Sequence, residues 1–432
     1  MTHHIIKILF LFILTTSILD ANIQLIKKEN SDSNSTLLII GGIHGNEPGG
    51  YFAASILAKH YTILSKNLWI VPNLNEASIM SNKRGIHGDM NRKFAYIRKH
   101  DKDKKIVEEV KRLITSPNID LVLNLHDGHG FYRKKSEGRI YNPAAWGQTC
   151  VIDQCTLKEE QEFGNLNNIA TTVKDNVNKK LLKKHHSFNV KNTKTKYFDK
   201  AMQLSLTYYA IRENKPAFAI ETSKNLSSLS QKVFYQLLAI EEFMKIMNID
   251  FIRDFKFTEK NISKILQNRG TLLINDNLFI NFNNIKKYLS YIPLKSKGNN
   301  FKFSNILGNF KKVHGRYVLY IGNKKITTLK PQYFKMGCEC PNTFEAVVDG
   351  ELISLPKASS FSVKTDFKIL KQKGIRVNII GYHAKHVKNE SNITIKLKNL
   401  NSKFSIDTTK KTYRIEFYKK NKFCSMSTIN FK

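Results

Sequence analysis

Four short stretches hold metal-ligating and proton-transferring side chains at usable spacings. In Gly41-Gly-Ile-His44-Gly-Asn-Glu47-Pro48-Gly, an imidazole and a carboxylate stand three apart at the end of a glycine-rich turn. Facing one point, the two make half of a zinc site, and the glycines let the backbone curl around it. In Leu123-Asn-Leu125-His126-Asp-Gly-His129-Gly, a histidine ends an apolar run. His126 would complete a His2Glu set with one tetrahedral position left for water; His129, beyond a glycine turn, is its competitor and better suited to a loop role. The segment from Ser81 to Arg92 contains Arg84, Asn91 and Arg92. A guanidinium beside an amide can hold a carboxylate, and Arg84 could face a developing oxyanion. Ala217-Phe-Ala-Ile-Glu221 ends an apolar run on a carboxylate, the type of group that moves protons to and from a metal-activated water.

The elements that would position these groups alternate from about 36 to 250. Strands are expected at Leu37–Ile40, Asn67–Val71, Asp120–Leu125 and Ala217–Ile220. Helical spacing follows at Glu47–Ala58, Lys104–Thr115, about 158–183 and 229–247. This alternation predicts an α/β domain with a mixed, largely parallel sheet flanked by helices. In such sheets, ligands sit outside the carboxyl ends of the strands, where His126 and Glu221 lie. After about 252 the text turns to short β runs, including Thr271–Ile274, Arg316–Tyr320, Ile393–Leu397 and Tyr413–Phe417, which predict two small all-β modules. The expected division is a signal peptide over 1–21, a catalytic domain over 22–250, a small β domain over 251–345 and an immunoglobulin-like β-sandwich over 346–432.

Taken together and in this order, the four stretches resemble the zinc metallocarboxypeptidases of the carboxypeptidase A type, over about half of the chain. The resemblance implies one zinc ion per chain held by His44, Glu47 and His126. It makes Glu221 the general base, Arg84 the oxyanion stabiliser, and Asn91 and Arg92 the clamp on the substrate's terminal carboxylate. Two features depart from the digestive members: only 79 residues separate Glu47 from His126, and their substrate-contacting tyrosine has no clear match. Thr207, Tyr208 and Tyr209 lie near its place. With export and two β modules added, the chain is similar to the cell-shape-determining D,L-carboxypeptidases of helical Gram-negative bacteria. That group implies removal of terminal meso-diaminopimelate from peptidoglycan tripeptides, with Trp146 lining the pocket. Zinc deacylases of the aspartoacylase type share much of the pattern but are generally cytosolic; a non-catalytic wall-binding protein is the other alternative.

Composition sets the surroundings. The chain has 432 residues and a net charge of +35, with 41% hydrophobic residues, enough for sizeable cores. Residues 1–250 carry 35 basic against 24 acidic residues, and 251–432 carry 35 against 11, so the excess is +11 and +24. Such a balance points to a polyanionic partner, here anionic wall or membrane rather than nucleic acid, for which no zinc finger, helix-turn-helix or RNP signature is present. The apolar run Ile8–Leu14 after a weakly basic start resembles a secretory signal peptide with cleavage after Ala21, which predicts a periplasmic enzyme; a monomer is expected. In that compartment Cys150 and Cys155 are expected to pair. Asn34, Asn261 and Asn392 fit an acid-x-Asn-x-Ser/Thr glycosylation pattern.

Overall fold

The structure is a computed structural model and describes residues 23–30, 33–337 and 339–432; the expected signal peptide, Asp32 and Cys338 lie outside them. Seven strands form the first sheet: β1 (Ile26–Lys28), β2 (Thr36–Ile40), β3 (Asn67–Val71), β4 (Ile119–Gly128), β5 (Thr149–Ile152), β6 (Asn189–Asn192) and β7 (Ala217–Ser223). Their order is β1-β3-β2-β4-β7-β5-β6. The central strands β3, β2, β4 and β7 run parallel, β1 pairs antiparallel to β3 and β5 antiparallel to β7, and β6 runs parallel to β5. Every residue of β2 and β3 is buried, because helices cover a parallel sheet on both faces and the sequence is apolar throughout rather than alternating. Helices α1 (Pro48–His60), α2 (Glu76–Met80), α3 (Lys104–Ile114), α4 (Leu166–Asn178), α5 (Leu206–Arg212) and α6 (Leu229–Ile246) complete this part.

Several elements differ from the sequence expectation. The helix expected over 158–183 is confined to α4, because Asn165 caps it by accepting from the Asn168 N–H and Leu157 closes a loop onto the Gly164 carbonyl. Strand β5 was not anticipated; its four residues are too short to show a period.

The remainder is built of β sheets. In one, the strands Phe301–Phe303, Thr271–Ile274, Leu278–Asn281, Lys422–Phe431, Thr412–Lys419 and Ile375–Ile379 lie in that order. A four-stranded sheet holds the hairpin β8 (Gly308–Val313) and β9 (Arg316–Ile321). The alternating run Ile393–Leu397 contributes only Ile395–Lys396 to a strand and then enters a 3-10 turn. The main hydrophobic core runs without a break from Leu37 through Ile262 and Leu319 to Met426, across the boundary expected at 250. A second core gathers around Phe344, Phe367 and Phe417. The final strand serves both, pairing Met426 with Leu278 and Thr428–Phe431 with Ser360–Val363.

The expected Cys150–Cys155 bridge does not form. Cys150 sits buried inside β5, between β7 and β6, whereas Cys155 lies exposed beyond the strand end. The disulfide is instead Cys340–Cys424, which ties the start of the last module to the final strand.

Candidate active site

The carboxyl ends of β2, β4 and β7 converge on one cavity of about 240 Å³. After β2 the chain turns at Gly42, whose φ of +79° favours glycine, and reaches His44 and then Glu47 at the start of α1. Glu47 occupies the N-cap position, yet its side chain bonds no helix N–H. It faces the cavity, where the positive end of the helix favours its charge. Gly49 follows because any Cβ there would collide with the buried Asp127 carboxylate, which accepts from the Gly49 N–H at 2.8 Å.

Both imidazoles present Nδ1 to the same oxygen of Glu47: His44 at 3.0 Å and His126 at 2.8 Å. The three ligand atoms lie within 4.8 Å of one another, and all three residues are buried. These separations fit a metal: bonds of about 2.0–2.2 Å to a tetrahedral ion put ligand atoms about 3.3 Å apart. The protonation states also fit. Burial would raise the Glu47 carboxyl, but the two imidazoles outweigh it and hold the group well below the usual carboxylate range. Burial pushes His126 down, toward the neutral form a metal requires. His44 goes the other way: burial opposes its charge, but Glu47 and Asp89 overcome that and raise it. A cation between the rings would replace that proton.

Asp89 was not singled out from sequence, although it stands between Arg84 and Asn91. It accepts from His44 Nε2 at 2.8 Å and from Arg84 Nε at 2.9 Å. One carboxylate thus fixes the orientation of a candidate metal-ligating ring and of the guanidinium beside it. Asp89 also caps the 3-10 turn Met90–Arg92 through the Asn91 N–H. Asn91 is buried, and its Oδ1 accepts from the Leu206 N–H at 2.9 Å. That donor settles which end of the amide is which and leaves the NH2 for an anion. Arg84 and Arg92 line the same cavity.

Glu221 pairs directly with His126 across the β4–β7 register, so the expected base and the expected metal ligand emerge side by side. Burial, then the nearby Glu47 and Asp127 carboxylates, raise its carboxyl well above the ordinary value. Lys224, three residues on and also not anticipated, opposes that rise; its Nζ lies 3.4 Å from Glu47. Trp146, Thr207 and His129 line the cavity. Tyr208 does not line it: successive helix positions point about 100° apart, so the turn of α5 that presents Thr207 carries Tyr208 elsewhere.

Comparison with known families gives two matches. Residues 4–267 match the catalytic part of a carboxypeptidase controlling helical cell shape, and residues 338–432 match the C-terminal domain of a metallo-carboxypeptidase. The chain belongs to this metallocarboxypeptidase family. No curated protein sequence matches it. Among solved structures, this carboxypeptidase is similar to the cell shape determinant protein Csd4 from Helicobacter pylori. The apo and tripeptide-bound forms show 34% identity over 95% of this chain and 100% of that chain, with a TM-score of 0.87. The mDAP-bound form, described as a D,L-carboxypeptidase, shows 35% identity over 94% and 100%, with a TM-score of 0.88.

Proposed function

We propose that this carboxypeptidase removes terminal meso-diaminopimelate from peptidoglycan stem tripeptides, leaving dipeptides, and so shapes the cell. The observation that carries the reading is the placement of Glu221 beside the His44–Glu47–His126 set, in a cavity closed by Asn91, Arg92 and Arg84. The whole-length likeness to Csd4, solved with tripeptide and with mDAP, supports the choice of substrate.

His44, Glu47 and His126 would hold one zinc ion per chain, which would supply Lewis acidity and lower the pKa of water at the site toward neutrality. Asn91 and Arg92 grip the terminal carboxylate, which restricts cleavage to the last residue. Glu221 takes the proton of the attacking water and passes it to the leaving amine. Arg84, steadied by Asp89, faces the oxygen that gains charge. The enzyme works in the periplasm; the Cys340–Cys424 disulfide supports an oxidising compartment, and none of the described helices is long and apolar enough to cross a membrane.

Incubation of purified muropeptides with the enzyme tests the reading by mass spectrometry. Tripeptide should disappear as dipeptide grows, and a chelator should block the change. Tripeptide left intact by zinc-loaded enzyme would sink it.

A further inference from the structure

Lys224 follows the last residue of β7 and lines the cavity with Glu221. Its backbone is held on both sides of the turn. The Lys224 N–H donates to the Gly128 carbonyl at the end of β4 at 2.7 Å, and Asn225 Oδ1 accepts from the Gly130 N–H at 2.8 Å. The ammonium ends 3.4 Å from Glu47 Oε1, and Arg84 Nη1 lies 3.1 Å from the same oxygen. The other oxygen of Glu47 already serves both imidazoles. Positive charge on this wall therefore outnumbers the one carboxylate it shares. Arg84 has Asp89 as a second partner, whereas Lys224 has no further carboxylate among the described residues. With 34% of its side chain exposed, Lys224 is open to a ligand.

We propose that Lys224 pairs with the free α-carboxylate of the glutamyl residue before the cut, and so makes that charge a condition of good turnover. The inference rests on the carboxypeptidase reading above. The clamp and Lys224 are anchored on different walls: Asn91 is tied to α5 through the Leu206 N–H, Lys224 to β4 through Gly128. A stem whose last residue is gripped by Asn91 and Arg92, with its carbonyl at Glu221, carries the preceding residue away from the clamp and onto the Lys224 wall. In a γ-linked D-Glu the scissile carbonyl belongs to the side chain, so the α-carboxylate stays free. It stands four bonds from the scissile carbonyl carbon, within about 5 Å of it. An ammonium has three donors, so it can keep Glu47 and take a second carboxylate at once. An α-carboxamide has the same size and shape, but brings no charge and turns an NH2 group toward a group that only donates.

The test compares L-Ala-γ-D-Glu-meso-diaminopimelate with its α-carboxamide, the isoglutaminyl tripeptide, using zinc-loaded enzyme. The wild type should favour the acid roughly ten- to a hundredfold in kcat/KM, the range for a hydrogen bond to a charged partner. In Lys224→Ala the ratio should fall close to one, and in Lys224→Arg most of it should return. Both peptides meet the same enzyme, so any effect of Lys224 on the Glu221 base cancels in the ratio. Calorimetry with the dipeptide L-Ala-γ-D-Glu and its α-carboxamide gives a readout without turnover: the acid should bind more tightly to the wild type, and the gap should close in Lys224→Ala. A wild-type ratio near one overturns the inference even if the alanine variant misfolds, and so does a preference that survives in folded, zinc-loaded Lys224→Ala. Either result leaves the carboxypeptidase reading intact. A wild-type enzyme that cleaves neither peptide overturns both.

Discussion

At the level of single residues, the site is a set of carboxylates kept in different protonation states by their surroundings. Glu47 lies between two imidazoles and stays ionised; Glu221, nearby, is buried among like charges and is driven up. A base works only when deprotonated, so the acid limb of kcat/KM should follow Glu221, whose carboxyl is raised by burial and by its like-charged neighbours. Lys224 lowers the Glu221 carboxyl. Lys224→Ala should therefore move the limb to higher pH, and Glu221→Gln should cost about 10²–10⁴-fold in kcat while retaining metal. A pH–rate profile that does not move in Lys224→Ala contradicts this electrostatic account. His44, Glu47, His126 and Glu221 were legible in the sequence because each follows an apolar run or a glycine turn. Asp89 and Lys224 were not, because a charged side chain in a loop acquires meaning only from what it faces.

At the level of elements, the loop that carries Arg84 is held from outside the catalytic sheet. Glu76 in α2 accepts from Asn309 Nδ2 of β8 at 2.7 Å, and Lys311 Nζ donates to Ser81 at 3.0 Å. Just past β9, Asn323 Nδ2 donates to Asn82 at 3.0 Å. The β8–β9 hairpin therefore steadies the turn that delivers Arg84 to the cavity, 225 residues away from Asn309 in sequence. Such long-range propping has no periodicity and no local motif, which is why the sequence shows the β strands but not their use. Removing the props in Asn309→Ala/Lys311→Ala should lower kcat roughly three- to thirtyfold, since small displacements of a positioned group are costly. Metal content should stay the same. Unaltered kcat in the folded double variant would show that the Arg84 loop holds itself.

At the level of the whole molecule, the uneven charge asks what the basic half is for. Removing 251–432 cannot answer, because the main core passes from Leu37 to Met426 and truncation would open it to water. The sequence led us to expect separable modules because turn residues and β runs mark strands, whereas a shared core leaves no mark along the chain. Charge can be changed without touching that core. Lys364, Lys371, Lys373 and Lys385 are all exposed in the last module, far along the chain from every residue of the cavity. Replacing the four by Glu lowers the net charge of that region by eight, from +24 to +16. If this surface keeps the enzyme on an anionic wall or membrane, retention on isolated sacculi should drop several-fold at low salt. The gap from wild type should close as the salt rises toward 1 M, where the screening length falls to about 3 Å. Turnover of soluble tripeptide should be unaffected, because the cavity charges lie in the other half of the chain. Equal retention of the two proteins at low salt would assign the basic excess to composition and leave the β modules the structural task seen at Arg84.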